Sequence, residues 1–398
     1  MHPGRFLLAL VGVLCAVFIP AEAEIKLPPD IMNYATEGIN GVYSLDFDTA
    51  QKNIQRVFEE YPDHPFAHFG NAMIAWSRYE YEFETSDDAQ RKVFENILDD
   101  SIAGIKRWIK QNPDDPNGYM GIGALYGLRA LFSMRNRNWV TAYFSGRRAI
   151  KNLEKSLSLD STYYDAYFGL GIYQYFAGTL PNVIKILAKI VAIKGNPDTG
   201  VRQLNMAREK AMFTADSAKL ILIEVQNTRK SKFYNPQKSL EFIEELHAKY
   251  PNNPLMHYVT VICLYETKNY EEVSSRAQYF LEQIGKNPYY KNIYIARAYT
   301  ALGTTQMAQG NFEKAREIFE QGRRAVRTQE PSRWGVWNEL RLGQVYDVLG
   351  QRKKALAQYQ YVLSFKDKWG FDDLAKTLLK KPYQVPANGD IGPLPPQG

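Results

Sequence analysis

Cysteine is almost absent from this 398-residue chain: Cys15 and Cys263 are the only two. No Asn-x-Ser/Thr acceptor occurs either, which favours a bacterial periplasm over a eukaryotic secretory route. Long apolar runs are missing beyond the N-terminus, so a bundle of membrane spans is excluded. No Lys/Arg-rich run or recognised nucleic-acid motif is present, and the basic excess is too diffuse to read as nucleic-acid binding. What is there, 45% hydrophobic and 23% charged residues, is ordinary for a folded chain and excludes disorder and collagen.

The one apolar run follows Arg5, extends from Phe6 to Ile19 and ends in Pro20-Ala21-Glu22-Ala23. That order of charged, apolar and small residues predicts a signal peptide over residues 1–23, with the mature chain starting near Glu24. A lipoprotein would need a small residue before Cys15, where this chain has Leu14. With Cys15 removed, Cys263 is left without a disulfide partner, and a chain of this size buries enough core to do without one. Charge is polarised: residues 24–100 sum to −10, 101–160 to +6 and the remainder to +10. Such a field steers or orients a partner.

Internal repetition decides the architecture. Ala298, Leu302, Gly303, Gly310, Asn311, Phe312, Ala315 and Phe319 recur 40 residues later as Asn338, Leu342, Gly343, Gly350, Gln351, Arg352, Ala355 and Tyr359. Each copy runs about 14 residues at a helical period, breaks at Gly-Asn or Gly-Gln, and resumes. Small residues at Gly303 and Ala315, or Gly343 and Ala355, let the paired helices approach closely. These residues resemble the tetratricopeptide repeat, a helix-turn-helix module. The register gives regular copies at 254–287, 296–329 and 336–369, looser ones at 31–64 and 220–253, and stretched ones at 65–115, 116–163 and 164–214. The resemblance implies an all-α, right-handed superhelical solenoid of about eight helical pairs over residues 24–370. The segment Gly169 to Ala207, with Leu180-Pro181, Ile184-Lys185, Gly195-Asn196, Gly200 and Leu204, is also similar to the Iml2 and tetratricopeptide-repeat-39 group of adaptors. Residues 371–379 read as a capping helix and 380–398 as a disordered Pro/Gly tail.

Signals of catalysis fail one by one, and neither a cofactor nor a metal is expected. In Gly121-Ile122-Gly123-Ala124-Leu125-Tyr126, a tyrosine occupies the third position of a dinucleotide loop. His64 and His68 stand four apart, but His64 precedes Pro65 in a turn and no third ligand is evident. His247 and His257 have no acid spaced to form a dyad. The chain reads as a non-enzymatic scaffold.

By the tetratricopeptide resemblance, positions 2, 5, 9 and 12 of each repeat line a concave groove. In this chain they are Phe66, Phe69, Met73 and Trp76, then Asp165, Phe168, Ile172 and Tyr175, then Leu255, Tyr258, Ile262 and Tyr265, with Trp337 in the last copy. Two readings compete: rings buried against the inserts of the stretched repeats, or aromatic anchors for an extended peptide, a helix or a glycan. Arg129, Arg135, Arg137, Arg147 and Arg148 make a candidate anion site. Residues 183–194 form a basic helix that either lies on a membrane surface or is buried with its lysines reaching outward. The expected function is an exported scaffold holding a protein or peptide at the cell envelope, the alternative a lipid or glycan carrier built on the middle repeats.

Overall fold

The computed structural model describes residues 27–82, 88–136, 138–179, 195–326, 329, 331–366 and 368–394. Among these residues regular structure is helical throughout, and they divide into two compact units between Ser231 and Lys232. The first unit holds α1 (Pro29–Tyr43), α2 (Phe47–Glu60), α3 (Pro65–Glu82), α4 (Asp88–Gln111), α5 (Pro116–Arg135), α6 (Trp139–Leu159), α7 (Ala166–Thr179), α8 (Pro197–Lys210) and α9 (Ala215–Asn227). The second holds α10 (Pro236–Lys249), α11 (Pro254–Glu266), α12 (Tyr270–Gln283), α13 (Ile295–Ala308), α14 (Phe312–Ala325), α15 (Arg333–Val348), α16 (Arg352–Leu363) and α17 (Asp372–Lys380). No helix among the described residues is long and apolar enough to cross a membrane. The signal peptide at 1–23 lies outside the described residues, as does the basic segment 183–194.

Helix starts follow local chemistry. Proline, whose missing N–H costs nothing in a first turn, opens α1, α5, α8, α10 and α11. Asp46, Asn196 and Asn235 accept from the main-chain N–H three residues on, at 3.0, 3.0 and 3.1 Å. The turn inside the regular copies repeats as well. The N–H of Asn269, Asn311 and Gln351 donates to the carbonyl of Leu264, Gln306 and Tyr346 at 2.9, 2.9 and 2.8 Å. That closure needs a left-handed residue just before it, met by Gly310 (φ 79°) and Gly350 (φ 72°) but by Lys268 (φ 62°) in the first copy.

Helix pairing rests on two notches. A Cβ on Gly303 would stand 2.5 Å from the Phe319 ring, and one on Gly343 2.5 Å from the Tyr359 ring, so glycine is what lets each ring seat against the partner helix. Tetratricopeptide-like helical pairs thus build the fold. The helices of the solenoid expected over 24–370 fall into two compact units that part inside the loose copy at 220–253: α9 packs on α8 in one, and α10 packs on α11 in the other. Leu220, Leu222, Ile223 and Val225 bury α9 in its own unit, while Thr228 to Asn235 offers mostly polar residues. The tail read as disordered is packed as far as Leu394. Its residues 384–390 are exposed, but Ile391 and Leu394 are buried, because side chains of the repeats bind its main chain.

Candidate functional site

The aromatic stripe is largely core rather than open groove. Phe66, Met73, Trp76, Tyr175, Tyr258, Ile262, Tyr265 and Trp337 are buried, while Phe69, Phe168, Ile172 and Leu255 are half-buried. In the first unit Phe94 on α4 and Phe132 on α5 lie 5.2 and 6.1 Å from Trp76, and Phe213, in the turn before α9, lies 4.8 Å from Phe66. Tyr175 reaches Ser231 at 3.4 Å. Asp165 accepts from the N–H groups of Met212, Phe213 and Thr214 at 3.1, 2.9 and 2.7 Å, just before α9, and burial raises its pKa. It fixes a turn instead of facing a ligand.

In the second unit Tyr258 donates to the carbonyl of Arg297 at 3.3 Å and meets Trp334 edge-on at 5.2 Å. Trp337 packs on Phe371 at 5.3 Å, with the Arg341 guanidinium 4.9 Å over its ring. Beside it, three successive carbonyls of the C-terminal segment are each held by a side chain of a first helix. Arg341 on α15 donates from Nη1 to Ile391 O and from Nη2 to Pro393 O, both at 2.9 Å. Tyr265 on α11 donates to Gly392 O at 3.0 Å. Arg341 is itself aimed by Gln344, whose Oε1 accepts from Nη1 at 3.1 Å. Ile391 joins the core around Trp337, Leu340 and Phe371. Between α11 and α15 in the chain, the α13 positions Thr300 and Thr304 are buried with hydroxyls that find no partner among the described residues.

The remaining candidates diverge. Arg129 pairs with Asp99, Arg147 donates to Tyr143 Oη at 3.2 Å, and Arg148 sits 5.5 Å over the Tyr126 ring. Arg135 lies at the end of α5, and Arg137 lies outside the described residues. His64 accepts the Phe66 N–H at 3.2 Å, and burial pushes its pKa down to about 4. His68 instead faces Asp63 at 3.5 Å. Among the described residues no group of three or more His, Cys, Asp or Glu could hold a metal ion. Sequence reasoning missed Arg341 and the segment Ile391–Leu394. The available signal was two large apolar residues, Ile391 and Leu394, in a Pro/Gly stretch.

Residues 296–322, spanning α13 and most of α14, match the family model of the tetratricopeptide repeat. The copy at 296–329 is thus matched as a tetratricopeptide repeat, and the fold is the one such repeats build. The chain is similar to the APC/C hetero-tetramer Cut9–Hcn1, with a TM-score of 0.50 and 14% identity over 88% of this chain; it covers 54% of that one. It is also similar to a Rap protein complexed with competence and sporulation factor (TM-score 0.43, 13% identity, 88% of this chain and 78% of that one). A tetratricopeptide repeat protein from Parabacteroides merdae ATCC 43184 matches at TM-score 0.33 and 10% identity, over 89% of this chain and 98% of that one. At such identities the likeness is one of fold alone. No curated protein sequence matches this chain.

Proposed function

We propose that the protein is an exported, non-enzymatic scaffold that holds an extended segment of a protein partner at a bacterial envelope. Tetratricopeptide-type folds are typically protein-interaction modules. The observation that carries the reading is the Tyr265–Arg341 face. Three consecutive main-chain carbonyls are taken by side-chain donors there, so the donors read the main chain of an extended segment. Export rests on the order of residues 1–23. The carrier reading gains no support near α3: the cavities beside Phe66 and Phe69 have room for about 20 Å³, roughly one water. N-terminal sequencing of protein from its native cell tests export: a start near Glu24 supports it, and an intact Met1 on the abundant form sinks it. Panning the immobilised full chain against a random peptide library tests recognition, and failure to enrich any peptide over a blank support counts against the scaffold.

A further inference from the structure

The C-terminal segment is built like a ligand and tethered like one. Its anchored part is short, from Ile391 to Leu394, and the exposed residues 384–390 precede it. Within them the Gly389 N–H donates to Pro386 O at 2.8 Å and the Asp390 N–H to Asn388 Oδ1 at 3.1 Å. The chain before them is fixed independently, with the Tyr383 N–H on Asp347 at 2.8 Å and the carbonyls of Leu378 and Leu379 on Arg352 at 2.8 Å. Ile391–Leu394 can therefore leave while α17 stays in place.

What the face demands of an occupant is also explicit. It offers Arg341 and Tyr265 as donors to three carbonyls in a row. It takes an apolar side chain at the first position and at the fourth, where Ile391 is 6% and Leu394 0% exposed. Between them Gly392 adopts φ 92°, a conformation that favours glycine strongly over any side chain. Pro393 has no N–H to leave unsatisfied and stiffens the segment. Arg341 is buried, and its guanidinium meets the Ile391 and Pro393 carbonyls, the Gln344 amide and the Trp337 ring. Losing those two carbonyls would cost the buried guanidinium two of its acceptors.

We propose that the Tyr265–Arg341 face is a receptor for an extended peptide of apolar-Gly-Pro-apolar type, and that the chain's own Ile391–Leu394 is a resident occupant which such a segment of a partner protein displaces. This rests on the scaffold reading and adds to it the partner's chemistry and a gate. The gate is competitive: a tethered occupant lowers apparent affinity by the fraction of time the face is closed.

The experiment uses the full chain, a full-length Ile391→Asp/Leu394→Asp variant, and that variant carrying Arg341→Ala as well. The probe is a fluorescein-labelled synthetic peptide with the sequence of residues 386–398, read by anisotropy. The released variant should bind the probe at least about tenfold more tightly than the unaltered chain. Adding Arg341→Ala should remove that gain, and a probe with valine in place of its Gly392 should bind at least about tenfold more weakly. Equal, Arg341-dependent binding by the unaltered and released chains would overturn the gate while leaving the scaffold reading intact. No binding by a released variant of normal helical content would overturn the receptor, whereas the scaffold reading falls only with the library panning. Should the released variant fail to fold, hydrogen exchange on the unaltered chain decides. Millimolar unlabelled peptide should accelerate exchange at Ile391, Gly392 and Leu394 and leave α11 and α15 unchanged, and unaltered exchange at those three amides refutes displacement.

Discussion

The buried carboxylate of Asp347 accepts the main-chain N–H of Tyr383 at 2.8 Å, joining the last turn of α15 to the segment beyond α17. The same carboxylate takes two bonds from Arg352 Nη1, at 2.9 and 3.0 Å, and one from the Tyr359 hydroxyl at 2.8 Å. One side chain thus ties together a first helix, its partner helix and the C-terminal segment. Removing it leaves the buried Tyr359 hydroxyl without its acceptor and takes from Arg352 its carboxylate partner. Asp347→Ala should cost about 3 kcal/mol in the chemical denaturation of the second unit. A loss below about 1 kcal/mol would show that water replaces the carboxylate.

Tyr258, Tyr265 and Trp337 should behave as structural residues. Exchanging all three for alanine should lower the helical signal and the melting temperature, because a buried Trp→Ala change alone costs about 3–5 kcal/mol. Phe168→Ala, at a half-buried ring, should cost about 1 kcal/mol. A triple variant that melts like the parent would return these rings to an open groove.

The turn chemistry makes a prediction of opposite sign at equivalent positions. Lys268 is exposed and left-handed, where an ordinary side chain costs about 1–2 kcal/mol. Lys268→Gly should relieve more than it loses in chain entropy, for a gain of about 0.5 kcal/mol. Gly310→Ala should destabilise by about 1 kcal/mol. Paired urea titrations read both, and shifts of the same sign would refute the turn assignment.

Stability should peak in mildly acidic solution. Burial pushes Glu339 up to about 7, opposed by Arg323, and pushes His257, 3.1 Å from the Tyr290 hydroxyl, down to about 3. Glu339 holds its proton more tightly folded than unfolded, so its contribution is whole below about 4.5 and fades as pH rises through about 7. His257 resists protonation when folded, so its contribution is whole above about 6.5 and fades as pH falls towards about 3. Melting temperatures across pH 4 to 8 should fall at both ends, with Glu339→Gln flattening the alkaline limb by roughly 1–3 kcal/mol and His257→Gln the acid limb. An alkaline limb unchanged in Glu339→Gln would assign it to another group.

The regular repeats were legible because their determinants are local. Gly303 and Phe319, or Gly343 and Tyr359, lie 16 residues apart and carry in their size alone the reason the helices meet. The candidate site was not legible on the same terms. Whether Tyr265 is an exposed anchor or a buried donor depends on a segment 127 residues later. That segment's Pro/Gly composition says nothing of the donors that order it. The division at Ser231 was equally hidden, since α9 and α10 look like one loose pair until their packing partners are known.

The two glycine notches also dictate where such a chain tolerates growth. Each ring must arrive from the same side, and every residue inserted between notch and ring would rotate it by about 100° around its helix. Inserted length is harmless only after the ring has seated. The spacing agrees: Gly303 and Gly343 are 40 residues apart rather than the 34 of the standard module, and with the notch-to-ring step fixed at 16 the surplus falls between Phe319 and the next notch. The pairs behave as keyed parts on a cord of adjustable length, and the stretch from Val326 to Ser332 is where an inserted tag or domain should leave both keys engaged.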